Sequence, residues 1–399
     1  MTDSIEDFAV YVLKFPASHV LGGGKWVTET QHLIVVVKTD SNILGIGEGT
    51  PYWSSLVADI KFTFKILKKV KGLKLTEARD NIIKHQATLL KKGKFRNNYG
   101  SFLATETAVI DAIAKERNMA LSYVLGGKPY RNLIPVCGTI FFKHPVKMIE
   151  ELDMWVRKGV KHIKFKAPNS LNDLENVLRH FKLHLDKLGH EDLILRADFN
   201  GGFTKFEKAC KAMELIEKYK IHIVEQPMPA NMIRDLAKLR RRFSPSIKVM
   251  VDESLAKPPD LDIFANFEAA DIVNFHPPKL GCLTITREAM IQAKKLGFEI
   301  QIGSALMTEI GLIHYLHLAA SLPYLDYPLE EIGLFNIYGY SIYHKVLCIK
   351  NGKIKLSSDH IELSNIQFDK FQQIRTRSLG LNFMIEKIMT LKHNKLKIK

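Results

Sequence analysis

The chain has 399 residues, 46% hydrophobic and 25% charged. That balance excludes a disordered polymer and leaves room for two domains, or one barrel with an addition. The net charge is +16, but the lysines are spread along the chain. No zinc-finger, RNP-like or aromatic-interleaved basic repeat accompanies them, so no specific nucleic-acid partner is expected. No apolar run approaches the roughly 18 residues of a membrane helix, and the acidic start lacks a signal-peptide pattern. Cys137, Cys210, Cys282 and Cys348 are far apart and form no CxxC or zinc spacing. Free thiols in a cytoplasmic protein are the expectation.

In chain order, Phe8 to Phe15, His32 to Thr39 and Asn42 to Gly49 read as three strands of an antiparallel meander. The link Pro16 to Glu29 contains Gly22-Gly23-Gly24. It reads either as a plain hairpin connection or as a flexible lid. Helical patterns follow at Ser55 to Lys69, Leu75 to Lys91 and Ser101 to Asn118, and Leu125-Gly126-Gly127 ends the region. The expectation is a small α+β domain over residues 1–130.

From Ile134 the texture changes. Val/Ile-rich runs (Ile134 to Phe141, His162 to Lys166, Leu193 to Asp198, Ile221 to Glu225, Ile247 to Asp252, Asp271 to His276, Glu299 to Ile302) alternate with amphipathic segments. Repeated βα units predict a parallel sheet, here a (β/α)₈-type barrel over residues 131–345. A segment over 346–399 ends in the lysine-rich run Lys387 to Lys399, read as a solvated tail.

Polar residues fall where the strands end, which is where barrels carry their sites. Lys164 and Lys166 are two apart and project to one side of a strand, with Phe165 opposite. Two adjacent ammonium groups lower each other's proton affinity, which suits a base. Asp198, Glu225 and Asp252 end the next three strands at equal steps of 27 residues. Three ionised carboxylates at close range repel unless a cation joins them, and oxygen ligands favour Mg²⁺, or Mn²⁺, over zinc.

Lys164-Phe165-Lys166, Asp198-Phe199-Asn200, Glu225-Gln226-Pro227 and Asp252-Glu253-Ser254 together resemble the enolase superfamily, and within it the muconate-lactonizing subgroup. Gly45-Ile46-Gly47-Glu48, Ile110 to Lys115 and Leu125-Gly126-Gly127 resemble that subgroup's capping domain. The resemblance implies a modified TIM barrel, (β/α)₇β, with an α+β cap to which the last segment returns. It further implies Asp198, Glu225 and Asp252 as Mg²⁺ ligands, Lys166 as general base, and Lys164 as the group that tunes it and holds the substrate carboxylate. Asn200, Glu253, Ser304 and Asp326 are supporting or substrate-binding candidates, and a homo-oligomer is implied by analogy.

Two departures stand out. The subgroup's second lysine, after the sixth barrel strand, aligns with His276 in Asn274-Phe275-His276-Pro277-Pro278-Lys279. His276 reads as the second acid/base, as a substrate-orienting group, or as a packed histidine. Lys279 lies beyond two prolines and is expected to point elsewhere. The second departure is Met307, where the subgroup commonly has an acid; Glu309 is displaced by two, and only Asp326 matches the dipeptide epimerases' Asp-x-Asp. The expected chemistry is abstraction of the α-proton of a small carboxylate substrate through an enediolate. The leading reading is a racemase or epimerase of an N-acylated amino acid. The alternatives are an o-succinylbenzoate-synthase-like or acid-sugar dehydratase, and a metal-binding barrel that has lost catalysis.

Overall fold

The computed structural model describes residues 3–20, 26–52, 54–94, 98–189, 192–330, 342, 347–356 and 360–366, with only the backbone described for 16–20, 26–28, 188 and 363. The glycine triplet 22–24 and the basic run 387–399 lie outside the described residues.

β1 (Ile5–Val20), β2 (Trp26–Thr39) and β3 (Leu44–Gly49) form an antiparallel sheet in that order. The two long strands stay paired from Ile5–Thr39 out to Val20–Trp26. The backbone flanking the triplet is therefore a hairpin. α1 (Leu56–Val70), α2 (Leu75–Lys91), α3 (Tyr99–Glu116) and α4 (Leu121–Gly126) complete this unit. Gly45, Gly47 and Gly49 share one face of β3 because strand side chains alternate. A Cβ at these positions would fall 2.1, 2.1 and 2.0 Å from the carbonyl oxygens of Ala108, Ala104 and Gly100. Glycine is required there because α3 lies directly on the strand.

The second unit runs β4 (Leu133–Ile140), α5 (Pro145–Arg157), β5 (His162–Lys166), α6 (Leu171–Leu188), β6 (Ile194–Asp198), α7 (Phe206–Lys218), β7 (Ile223–Glu225), α8 (Ile233–Phe243), β8 (Lys248–Val251), α9 (Asp260–Phe267) and β9 (Ile272–Phe275). It continues through the short turn α10 (Pro277–Leu280), α11 (Leu283–Lys295), β10 (Glu299–Ile302), α12 (Glu309–Ser321) and β11 (Leu329–Glu330). All neighbouring strands from β4 to β10 pair in parallel, and β11 returns to pair in parallel with β4. Tyr327 N–H donates to Ile300 O at 3.3 Å and Gln301 Nε2 to Pro328 O at 2.7 Å, which joins β11 to β10. The result is the expected (β/α)₇β barrel.

The hydrophobic pattern follows from burial on both sides. β5 turns Phe165 outward, where its ring meets Phe181 of α6 edge-on at 5.2 Å. α12 is buried along its whole length and has no polar stripe. The reason is that the first unit covers its outer side. Glu48 of β3 accepts from Thr308 N (2.9 Å), Gly311 N (2.7 Å) and the Thr308 hydroxyl, and from His32 Nδ1 at 2.8 Å. A buried carboxylate at the helix start satisfies donors that a helix leaves open. β12 (Ile349–Lys350) and β13 (Lys353–Lys355) form a hairpin whose second strand pairs antiparallel with β4, and Ile361 N–H donates to Asp111 of α3 at 2.9 Å.

Candidate active site at the barrel mouth

Register places the polar residues. Lys166 is opposite Asp198 and Lys164 opposite Arg196 across β5–β6, and Asp198 is opposite Glu225 across β6–β7. Asp252 follows the last residue of β8. Lys164 and Lys166 do project together. The Lys166 ammonium donates to Asp198 Oδ2 at 2.6 Å and Asn200 Oδ1 at 3.1 Å. Lys164 Nζ lies 2.8 Å from Glu330 Oε1, 3.3 Å from Asp198 Oδ2 and 3.6 Å from Glu225 Oε2. Asn200 Nδ2 donates to Glu253 Oε1 at 2.9 Å, and Ser304 N–H to Glu330 Oε2 at 3.4 Å.

Nine of the ten predicted residues gather here; Asp326 does not. Its carboxylate accepts from Lys294 Nζ at 2.9 and 2.8 Å and from Ile300 N at 2.9 Å, near the start of β10 and so at the opposite end of the barrel. It joins β11 to its neighbours. Glu309 does not replace the missing acid either, since its Oε1 accepts from Ile342 N at 3.2 Å.

Lys279 corrects a second expectation. It is fully buried, and its ammonium donates to Asp252 O at 2.6 Å and to Asp252 Oδ1. Pro277 and Pro278 occupy the first positions of a helical turn, where a missing N–H costs nothing. Lys279 N–H bonds to His276 O at 2.9 Å, and the three-residue step of that turn brings Lys279 back to the mouth.

Three further residues went unread. Arg196, two before Asp198 on the same side of β6, contacts Glu330, Gln301 and Glu225, with its Nε 3.1 Å from Glu225 Oε2. The alternation that paired Lys164 with Lys166 could have found it. Asn274, two before His276, donates to Glu225 Oε1 at 2.8 Å and Glu330 Oε1 at 3.1 Å. Glu330 sits on a two-residue strand with no periodic signal.

The electrostatics separate these groups. Burial would push the Lys164 ammonium down, but Glu225, Glu330 and Asp198 outweigh it and hold its pKa above the ordinary lysine value. The lowering expected from the paired lysines is overridden at Lys164, which stays cationic. Burial pushes Glu225 up to about 7, with Arg196 opposing and Asp198 adding to the rise. Burial and the charges of Asp252 and Asp198 push Glu253 up to about 8. Burial opposes ionisation of Asp252, yet His276 and Lys279 hold it down to about 2. Burial pushes the His276 imidazole down to about 4 against the pull of Asp252.

The chemistry of the donors fits a divalent cation. Glu225, Asp252 and His276 are all buried and each offers a donor atom, the three lying within 4.8 Å of one another. Glu225 Oε2, Glu253 Oε2 and both ring nitrogens of His276 are buried without a hydrogen-bond partner. Such groups are costly unless something binds them. Tyr52, from the first unit, covers this side: its ring centroid is 6.2 Å from that of His276 and 6.0 Å from Lys279 Nζ.

Residues 147–360 match the family described as Enolase C-terminal domain-like. The chain is 26% identical over 319 residues to N-succinyl-L-Arg/Lys racemase of Bacillus cereus, covering 78% of this chain and 83% of the racemase. It is 23% identical to a chloromuconate cycloisomerase of Pseudomonas putida over 358 residues, 89% of this chain and 94% of that enzyme. The crystal structure of a dipeptide epimerase from Enterococcus faecalis V583, complexed with Mg and the dipeptide L-Leu-L-Tyr, superposes with a TM-score of 0.77 at 20% identity, covering 90% of this chain and 98% of that one.

Proposed function

The chain belongs to the enolase C-terminal domain-like family and is an enolase-superfamily enzyme, and on that premise we propose that it removes the α-proton of a carboxylate substrate through an enediolate, as a racemase or epimerase of an N-acylated amino acid or a related compound. The observation that carries this is Lys166, whose ammonium lies against Asp198 and Asn200 beside a buried, under-bonded carboxylate cluster. The N-succinyl amino-acid racemase among the relatives supports the substrate class. A divalent cation among Asp198, Glu225 and Asp252, Mg²⁺ or Mn²⁺, would offset the charge that builds on the substrate carboxylate as the proton leaves.

The chain's own residues divide the remaining work. Lys166 takes the α-proton on the β5 side. Lys164, kept cationic by Glu225, Glu330 and Asp198, holds and orients the substrate carboxylate rather than shuttling protons. Racemisation needs a second group on the other side of the substrate. β9 stands four strands on from β5 in an eight-stranded barrel, directly across the mouth. It delivers two nitrogens there, His276 and, through α10, Lys279. Tyr52 and the packed first unit exclude water from that side.

A one-base elimination, in which Lys166 both takes the proton and assists the leaving group, is the second reading. The neutral state of the buried His276 favours it.

The test is α-proton exchange. The protein is incubated in D₂O with Mg²⁺ or Mn²⁺ and pooled N-acyl amino acids, dipeptides and acid sugars, and deuterium uptake is read by mass spectrometry. Exchange that disappears in Lys166→Ala supports the enolising base. Exchange from both enantiomers supports the racemase over the elimination. Tight cation binding with no exchange in any class would overturn the catalytic reading.

A further inference from the structure

We propose that the His276 imidazole is itself a ligand of the cation, so that the mouth grips its ion through one nitrogen and the carboxylates of Glu225 and Asp252, and selects Mn²⁺ over Mg²⁺. The inference rests on the reading of the mouth as a cation site, puts His276 in the place given above to Asp198, and leaves Lys279 as the nitrogen on the far side of the substrate.

Geometry points this way. His276 is 4% exposed, and neither ring nitrogen has a hydrogen-bond partner. Nε2 lies 3.2 Å from Asp252 Oδ1, in a direction that makes no hydrogen bond. A buried imidazole with both nitrogens idle gives up a donor and an acceptor, a cost that a bound ion removes on one side. Glu225 Oε2 likewise makes no hydrogen bond, although Arg196 Nε and Lys164 Nζ stand 3.1 and 3.6 Å away. Asp198 is the most occupied of the three acids. Its Oδ2 takes Lys166 at 2.6 Å with Lys164 3.3 Å away, and its Oδ1 takes Asn200 N at 3.0 Å. The donors within 4.8 Å of one another are those of Glu225, Asp252 and His276.

Gly303, at the end of the neighbouring strand, makes room for this arrangement. A Cβ there would lie 2.3 Å from His276 Nε2 and 2.6 Å from Asn274 Oδ1. Any larger residue would push the ring off its present line.

The ion preference follows from the donor set. Mg²⁺ holds to oxygen ligands and near-ideal octahedral geometry, whereas Mn²⁺, although it too favours oxygen, belongs to the first-row series that binds mixed nitrogen and oxygen sites. Replacing one oxygen donor by a nitrogen therefore weakens Mg²⁺ more than Mn²⁺.

The experiment needs no substrate. The full-length protein, stripped of metal, is titrated with Mn²⁺ while free Mn²⁺ is followed by electron paramagnetic resonance, and Mg²⁺ affinity is read by competition. Electron spin-echo envelope modulation on the Mn²⁺-loaded protein then detects directly bound nitrogen. The expected result is modulation from one imidazole ¹⁴N, replaced by ¹⁵N modulation when the histidines are ¹⁵N-labelled, and Mn²⁺ bound more tightly than Mg²⁺. In His276→Gln the nitrogen modulation disappears and the Mn²⁺ preference shrinks. Gly303→Ala, which keeps the histidine but crowds Nε2, gives the same loss. The labelled wild-type spectrum stands alone if either variant fails to fold. Mn²⁺ bound without histidine nitrogen coupling, or an equal loss of both ions in His276→Gln, overturns the inference while leaving the cation site intact. Failure of any divalent ion to bind overturns both.

Discussion

Lys279 is the sharpest place to perturb the site. Lys279→Met keeps the length of the buried stem and deletes the ammonium that bonds Asp252 O at 2.6 Å and Asp252 Oδ1. Without bound metal, Asp252 is then left among Asp198, Glu225 and Glu253 with a neutral imidazole beside it and the Lys164 charge farther off. Stranding one member of a buried pair costs about 3–5 kcal/mol. For 399 residues, an unfolding entropy of roughly 2.1 cal/mol/K per residue totals about 0.84 kcal/mol/K, so the metal-free melting temperature should fall by about 4–6 °C. With metal present the deficit shrinks. The ammonium competes with a cation for the same carboxylate, so the variant should bind Mn²⁺ at least about tenfold more tightly, about 1.4 kcal/mol, and saturation should narrow the melting gap by about 2 °C. Differential scanning calorimetry with and without saturating Mn²⁺ reads both effects. A metal-free variant that melts within about 1 °C of the wild type would refute the role of Lys279 as the counter-charge of Asp252.

Other outcomes follow from the same structure. Glu330→Gln removes the charge shared by Lys164 and Arg196, and urea unfolding should show a loss of about 3 kcal/mol; unchanged stability would mean that the pairs return no more than their burial costs. Gly47→Ala puts a methyl 2.1 Å from Ala104 O and should cost more than about 3 kcal/mol, because neither strand nor helix backbone can yield cheaply. Asp59, buried beside the Ser54 and Ser101 hydroxyls, is pushed up to about 6 by burial, with both hydrogen bonds opposing. Its folded pKa exceeds its unfolded one, so the native state binds the extra proton and stability falls as pH rises from about 4 to 6, by up to about 3 kcal/mol. Asp59→Asn should flatten that part of the urea-midpoint profile, and an unchanged slope would remove Asp59 as its source.

The barrel and its acids were legible because two periodicities coincide. Strand alternation joined Lys164 to Lys166, and the even βα spacing set Asp198, Glu225 and Asp252 on successive strands. What escaped has physical causes. α12 shows no polar stripe, since the first unit covers the side that solvent would otherwise mark. The two prolines before Lys279 looked like a break, yet prolines at the first helical positions start a turn. Glu330 belongs to a strand too short to alternate, and Asp326, four residues earlier, lies at the wrong end of the same return segment. The lid reading of the 16–29 link meets a backbone that stays paired to Val20 and Trp26, with the triplet itself outside the described residues.

The two-residue strand β11 has a consequence for how the protein is made. It is the last stave of the barrel, and it carries Glu330, the acid on which Lys164 and Arg196 converge. While the ribosome is still short of that residue, β4 lacks one parallel neighbour and two buried cations lack their nearest anion. Closing the ring and balancing the site are therefore one event, which waits for β11. A chain that stalls earlier holds an open sheet edge and two buried cations short of one partner, the kind of half-built product that chaperones and proteases select against.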